Sequence, residues 1–226
     1  VQTTVATKDI EPALSGQFQS GLHLAEEAHL DPRKTMTSLC EWLEKKDVDL
    51  NTNQGVAKDP DWTIDCRGMA ANEKGIRGVK GETLLVRNPE FELSRPVRLM
   101  HPRYPLYIIP RGNGIFMIGA TVIESGENEN VSLRSSMELM SALYALHPSF
   151  GEAEMIELKA GIRPSYADNL PRIRIDKDNK TITCNGLFRH GYLLAPTMAM
   201  CVTDTLQGKE NEFMPLFTKG LNDESH

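Results

Sequence analysis

Several features that mark whole protein classes are scarce or missing in this 226-residue chain. Closely spaced cysteines are absent: Cys40, Cys66, Cys184 and Cys201 lie far apart, with no C-x-x-C unit and no histidine at finger spacing. Neither a zinc site nor a disulfide framework is expected, and each thiol reads as a small buried hydrophobe kept reduced. Long hydrophobic runs are also missing. The uncharged apolar run from Gly191 to Thr203 is well short of the roughly 20 residues that a bilayer span needs. Residues 1–11 carry charges and lack an apolar core, so they do not read as a secretory signal, and a cytoplasmic location is expected. Basic residues are outnumbered, 25 against 31 acidic, for a net charge of −6. No cationic cluster could neutralise a phosphate backbone, so neither nucleic acid nor membrane is expected as a partner. Near the N-terminus there is no strand, Gly-x-Gly-x-x-Gly turn and helix of the kind that binds a dinucleotide.

What is present is an ordinary globular balance, 40% hydrophobic and 25% charged, enough for one large domain or two small ones. Asp31-Pro32 reads as an N-cap with proline at the first helical position. Met36, Leu39, Cys40 and Leu43 follow at i, i+3, i+4 and i+7, which predicts an amphipathic helix to about Lys46. Residues 51–61 are polar, with Gly55 and Pro60, and read as a loop or as a join across missing residues. A short strand is predicted at 62–66, ended by Arg67-Gly68. Residues 83–87, 97–101, 106–109 and 115–120 are rich in β-branched and large apolar residues and read as strands. Arg111-Gly112-Asn113-Gly114 between two of them is a predicted hairpin turn. Ser135-x-x-Glu138 fits a capping box, with Ser132 as an earlier start; Met137, Met140, Tyr144 and His147 then recur at helical spacing before Pro148 and read as core. A strand at 155–159, a hairpin at 172–184 turning at Asp178-Asn179, and a helix at 196–206 stopped by Gly208 complete the pattern. A meander flanked by helix and strand pieces predicts an antiparallel sheet inserted into a second domain.

Three segments place cationic or polar residues among apolar, glycine and proline neighbours: 101–111, 161–171 and 186–197. In the second, Arg163 has glycine before it and proline after it, the setting of a stiff turn that could hold a planar carboxylate through two parallel hydrogen bonds. Alternatively it pairs with a nearby acid, and Asp168 is the candidate. The third segment leads into the helix predicted from Pro196. Unpaired N–H groups and the positive end of the helix dipole there would stabilise an anion or a ring that becomes anionic.

The same segments carry a family resemblance. Gly161-Ile-Arg-Pro, Asp168-Asn-Leu-Pro and Phe188-Arg-His-Gly-Tyr-Leu-Leu-Ala-Pro resemble the C-terminal signature of FAD-dependent amine oxidases of the D-amino acid oxidase superfamily, in particular its glycine oxidase branch of thiamine biosynthesis. Val79-Lys-Gly-Glu, Tyr107-Ile-Ile-Pro-Arg and Ile118-Gly-Ala-Thr are similar to the same family in the same order. The resemblance implies noncovalent FAD, and oxidation of glycine or a similar small amino acid by hydride loss from Cα. The products would be an imine or glyoxylate and, from O₂, hydrogen peroxide; a thiazole synthase is a possible partner and a homo-oligomer the implied assembly. By the same resemblance Arg163 clamps the substrate carboxylate, Tyr107 donates a second hydrogen bond, and Arg189 sits beside substrate and flavin. Gly68 passes the cofactor phosphates, while Leu187, Phe188, Arg189, His190, Gly191, Tyr192 and Leu193 line the isoalloxazine. The cofactor supplies the redox chemistry, so no acid/base pair and no metal are required, and His190 is not needed as a base.

The implied fold is α/β: an incomplete FAD-binding Rossmann-like domain with an antiparallel-sheet substrate domain inserted. The expected division is a partial FAD-binding domain and connecting segments at 1–78, the antiparallel sheet at 79–160, and the C-terminal part of the FAD-binding domain at 161–226. The missing glycine fingerprint departs from the family pattern and is expected to lie before Val1. The same carboxylate clamp would serve a D-amino acid or sarcosine oxidase, and loss of the fingerprint would leave a catalytically silent binding domain.

Overall fold

The computed structural model of the chain describes residues 2–50, 59–100, 106–126 and 130–218. Most of the loop predicted at 51–61, and His101 with the four residues after it, lie outside the described residues. In chain order the elements are β1 (Gln2–Ala6), α1 (Thr7–Ile10), β2 (Ser20–Leu24), α2 (Pro32–Glu44), β3 (Thr63–Asp65), β4 (Arg77–Arg87) and β5 (Val97–Leu99). After them come β6 (Leu106–Gly112), β7 (Ile115–Gly119), α3 (Leu133–Leu146), β8 (Glu154–Ser165), β9 (Arg172–Asp176), β10 (Thr181–Asn185), α4 (Gly191–Leu206) and α5 (Met214–Thr218). The class is mixed α/β with antiparallel sheets, as the sequence led one to expect. Two compact units divide the chain: Val1–Asn53, Glu82–Thr121 and Asn130–Ala160 form the first, and Gln54–Gly81, Val122–Glu129 and Gly161–His226 the second.

The first unit is built on a sheet of order β5-β6-β7-β4-β8. Alternation along its strands sends Leu84, Val86, Leu106, Ile108, Phe116 and Ile118 into one core with Leu139, Leu143 and Leu146 of α3, the period of 2 and the period of 3.6 meeting face to face. Phe91, Phe116 and Phe150 pack ring on ring there, with centroids 4.8 to 5.9 Å apart. The hairpin at 111–114 forms as predicted, with positive φ at Gly112, Asn113 and Gly114. Helix α3 starts at the earlier of its two candidate caps, Ser132, whose side chain accepts from the Ser135 N–H. Its buried stripe is Leu139, Ala142, Leu143 and Leu146, whereas Met137 and Tyr144 are exposed. The expected stripe carried Tyr144 and His147; the rival one is apolar at four successive helical positions and wins the core.

Helix α2 is capped as read, Asp31 accepting from the N–H groups of Arg33 and Lys34. None of its residues is buried, and Met36, Leu39 and Trp42 stay exposed. Two charged residues of β4 are buried, Lys80 and Glu82. Glu82, on the same strand face as Leu84 and Val86, has no exposed surface and accepts from the Ser132 N–H at 3.1 Å, while its own N–H donates to Thr121 Oγ1 at 2.9 Å. It ties the start of α3 to the sheet.

In the second unit β10 is the central strand, antiparallel to β9 and parallel to β3. Ile173 and Ile182 pack under Met198, Cys201 and Val202 of α4 and Phe217 of α5. The β9–β10 hairpin turns as predicted, with Asp176 accepting from the backbone and side chain of Asn179. Helix α4 starts at Gly191, so Pro196 lies inside it instead of at its start. At the sixth helical position the proline lies past the first turn and gives up one internal bond, the one its N–H would have made to the Tyr192 carbonyl. The thiols divide: Cys184 and Cys201 are buried as expected, but Cys40 and Cys66 are exposed.

Candidate functional site

Arg163 lies in β8, the edge strand of its sheet, and not on a turn. An edge strand accommodates both Gly161 and Pro164 because one side of its backbone has no ladder to complete. The half-buried guanidinium of Arg163 lies directly over the backbone of Gly81: an added Cβ at that glycine would fall inside Cζ, Nη1 and Nη2. Gly81 is therefore a glycine that leaves room for a cation. Asp168, the alternative partner in the sequence reading, instead binds Arg172 at 3.3 Å and the Leu170 N–H at 3.0 Å.

Around Arg163 the second unit collects other residues singled out in the sequence. Gly68 has φ +61°, and a Cβ there would approach Pro164 Cγ to 3.3 Å. The Gly68 carbonyl accepts from Asn185 Nδ2 at 3.1 Å, and the Pro164 carbonyl accepts from the Phe188 N–H at 3.1 Å. These bonds bring 66–68, 163–165 and 185–188 together. The segment then turns through Gly186 and Phe188, both at positive φ, into α4. His190 is the N-cap residue but gives no side-chain bond to the helix start. Arg189 and His190 are exposed, as are Tyr192 and Leu193, the last at 73%. A Cβ on Gly191 would meet nothing within 4 Å. Exposed apolar groups beside an uncapped, dipole-positive helix start suit a flat ring bearing negative charge, so the segment fits the isoalloxazine role that the resemblance implies.

Sequence reasoning missed the support beneath these segments. Tyr166, 1% exposed, donates to Glu73 Oε1 at 2.7 Å; Asn185 Nδ2 donates to Glu73 Oε2 at 3.1 Å, and Arg174 pairs with Oε1 at 3.1 Å. The guanidinium carbons of Arg172 and Arg174 stand 4.2 and 5.5 Å from the Tyr166 ring centre. Glu73 lies 93 residues from Tyr166 and 112 from Asn185, so no local pattern could announce the group. Burial, and next the bond to Glu73, push the Tyr166 hydroxyl above its ordinary range. The phenol proton is held more tightly in the folded state, so its contribution is complete below about pH 10 and is lost as pH rises beyond that. Tyr166→Phe should cost about 1–2 kcal/mol at neutral pH and flatten the alkaline fall in stability, which urea titrations at pH 7 to 11 would measure.

Tyr107 belongs to the first unit, in β6, opposite Gly119 of β7. Its hydroxyl lies over that glycine, 2.9 Å from where a Cβ would stand. The cation and the hydroxyl that the family resemblance assigned to substrate thus each rest on bare glycine backbone, Arg163 on Gly81 and Tyr107 on Gly119. No helix among the described residues is long and apolar enough to cross a membrane.

The family model described as DAO, FAD dependent oxidoreductase, matches residues 2–205. The chain belongs to this FAD-dependent family. A Rhizobium etli oxidoreductase named for thiamine biosynthesis, ThiO, is 48% identical over 201 residues, 86% of this chain and 60% of that protein. The glycine oxidase of Bacillus subtilis is 30% identical over 148 residues, 63% of this chain and 39% of the relative. The chain thus spans about 60% or less of the length of these relatives. Among solved structures, glycine oxidase from Geobacillus kaustophilus superposes with a TM-score of 0.82 at 20% identity, over 98% of this chain and 68% of that one, which supports the fold.

Proposed function

We propose that the chain provides the substrate-carboxylate and isoalloxazine contacts of an oxidase acting on glycine or a similar small amino acid, serving thiazole formation in thiamine synthesis. The observation that carries this reading is the Arg163 guanidinium lying over bare Gly81 backbone, a planar fork fixed where a carboxylate can meet it with two parallel bonds. The thiamine assignment rests on the likeness to the Rhizobium etli protein and on the ordered motifs. Bound noncovalently, FAD supplies the hydride acceptance and the onward transfer to O₂ that no side chain here can perform. The protein's part is orientation: Arg163 binds the carboxylate, and Tyr107 acts as a hydrogen-bond donor. Arg189 lies beside the reacting groups, residues 187–193 face the ring, and Gly68 lets a phosphate approach the backbone. Fixing the Cα–H direction is the main contribution such residues can make. A thiazole synthase as receiver of the imine, and a homo-oligomeric state, belong to the same reading.

Gly81→Ala tests it. The new methyl displaces only the far end of a flexible arginine, so folding and melting temperature should hardly change. The KM for glycine should rise about tenfold, the cost of moving one charged contact by roughly 1.4 kcal/mol, with kcat less affected. A wild-type KM in a normally folded G81A protein would remove Arg163 from the site.

A further inference from the structure

The mechanism above leaves one pair of nucleophilic side chains unused. Strands β3 and β10 run parallel, with Thr63 opposite Thr181, Ile64 opposite Ile182 and Asp65 opposite Thr183. The ladder ends there, and the same register carried one residue past β3 sets Cys66 opposite Cys184. Neighbouring strands lie about 4.8 Å apart and opposed side chains leave the sheet on the same face. That separation falls within the roughly 4.4–6.8 Å between Cα atoms that a disulfide accepts. Hydrogen bonding between neighbouring thiols favours the Cys66 thiolate over that of Cys184.

Their surroundings are unequal in the way a nucleophile and its resolving partner are. Cys66 is exposed and Cys184 is buried. The bond from Cys184 favours the Cys66 thiolate and brings that thiol down to about 7, against burial and the nearby Asp65 carboxylate. Arg67 holds that carboxylate through two bonds, of 3.0 and 2.7 Å, and keeps it well ionised. The Cys184 thiol is pushed up by the same bond, by burial, and by the proximity of Cys66 and Cys201. An accessible low-pKa thiol beside a protected one is the arrangement that oxidises to a disulfide and not further.

We propose that Cys66 and Cys184 form a peroxide-oxidisable dithiol, a reversible cross-link between the ends of β3 and β10. The Cys66 thiolate attacks one oxygen of hydrogen peroxide; the O–O bond breaks, a sulfenic acid forms, and the departing hydroxide takes up a proton as water. The Cys184 sulfur then attacks the Cys66 sulfur: the S–S bond forms, the S–O bond breaks, and the leaving hydroxide carries off the Cys184 proton as a second water. Two thiols are oxidised by one electron each and one peroxide is reduced to two waters. The cross-link closes two residues before Gly68 in one segment and two before Gly186 in the other, segments already bridged by the Asn185–Gly68 bond. It requires no turnover by the protein, since added peroxide serves as oxidant.

The test treats the reduced 226-residue chain with hydrogen peroxide at pH 7 and maps peptides by mass spectrometry without reductant. Two thiols should disappear together into a Cys66–Cys184 peptide that dithiothreitol reverses. Cys66 should react about threefold faster than an ordinary exposed thiol, its larger thiolate fraction partly offset by weaker intrinsic nucleophilicity; exposed Cys40 is the comparison within the same chain. In Cys184→Ser the disulfide should be lost and a Cys66 sulfenic acid trapped by dimedone. In Cys66→Ser, Cys184 should stay reduced. Thiol loss without the Cys66–Cys184 linkage, or dimedone labelling of Cys66 no greater in C184S than in the wild type, would overturn the proposal.

Discussion

Arg163→Ala should lower kcat/KM for glycine by roughly 100- to 1000-fold, mostly through KM. Removing one partner of a desolvated, hydrogen-bonded charge pair costs about 3–4 kcal/mol, and 1.4 kcal/mol is a factor of ten. Arg163→Lys should recover only part of the loss, because an ammonium cannot reproduce the two parallel bonds of the guanidinium fork. The stability of both variants should stay close to wild type, since the side chain rests on Gly81 and not within either hydrophobic cluster. Steady-state kinetics with glycine, sarcosine and D-alanine, alongside melting curves, separate the two effects. A uniform rise in KM across all three would place Arg163 on the shared carboxylate. A rise for one substrate alone would place it near the side chain.

Gly186→Ala should have the largest effect on folding. At φ +77° an alanine is strained, and its Cβ would fall within the contact distance of the Tyr166 ring. The left-handed conformation costs about 1–2 kcal/mol and overpacking against a buried ring about 1–3 kcal/mol more, a sum that is a large share of a domain's net stability. The ring cannot retreat cheaply, because its hydroxyl is bound to Glu73 and Arg172 lies on its face. Gly191→Ala, with open space around its Cβ, is the matched control and should melt like wild type. Calorimetry or urea unfolding of the two variants checks the contrast.

Local chemistry made much of the fold legible. The hairpin turns, the Asp31 and Ser132 caps and the α/β class follow from residues that act on their immediate neighbours. Errors arose where tertiary packing decides. Strand β8 runs through Gly161 and Pro164 because it is an edge strand, a fact of sheet order that a window of sequence does not contain. Helix α4 likewise starts five residues before the proline that looked like its beginning. For the site, the ordered motifs pointed to Arg163, Tyr107 and residues 187–193, but not to what supports them. Glu82 carried a signal that could have been used, an acid at an inward-facing position of an apolar strand. The Glu73–Tyr166–Asn185 group carried none, its members being brought together only by the folded chain.

The most direct measurement is an anaerobic titration of the protein, purified in the presence of FAD, with glycine while the visible flavin band is followed. With FAD kept in the buffer, the band should fall when glycine is added to the wild type, and Arg163→Ala should need far more glycine to bleach it. A folded protein that holds FAD but is bleached by none of glycine, sarcosine and D-alanine, or one in which Arg163→Ala titrates like wild type, would contradict the assignment of this site.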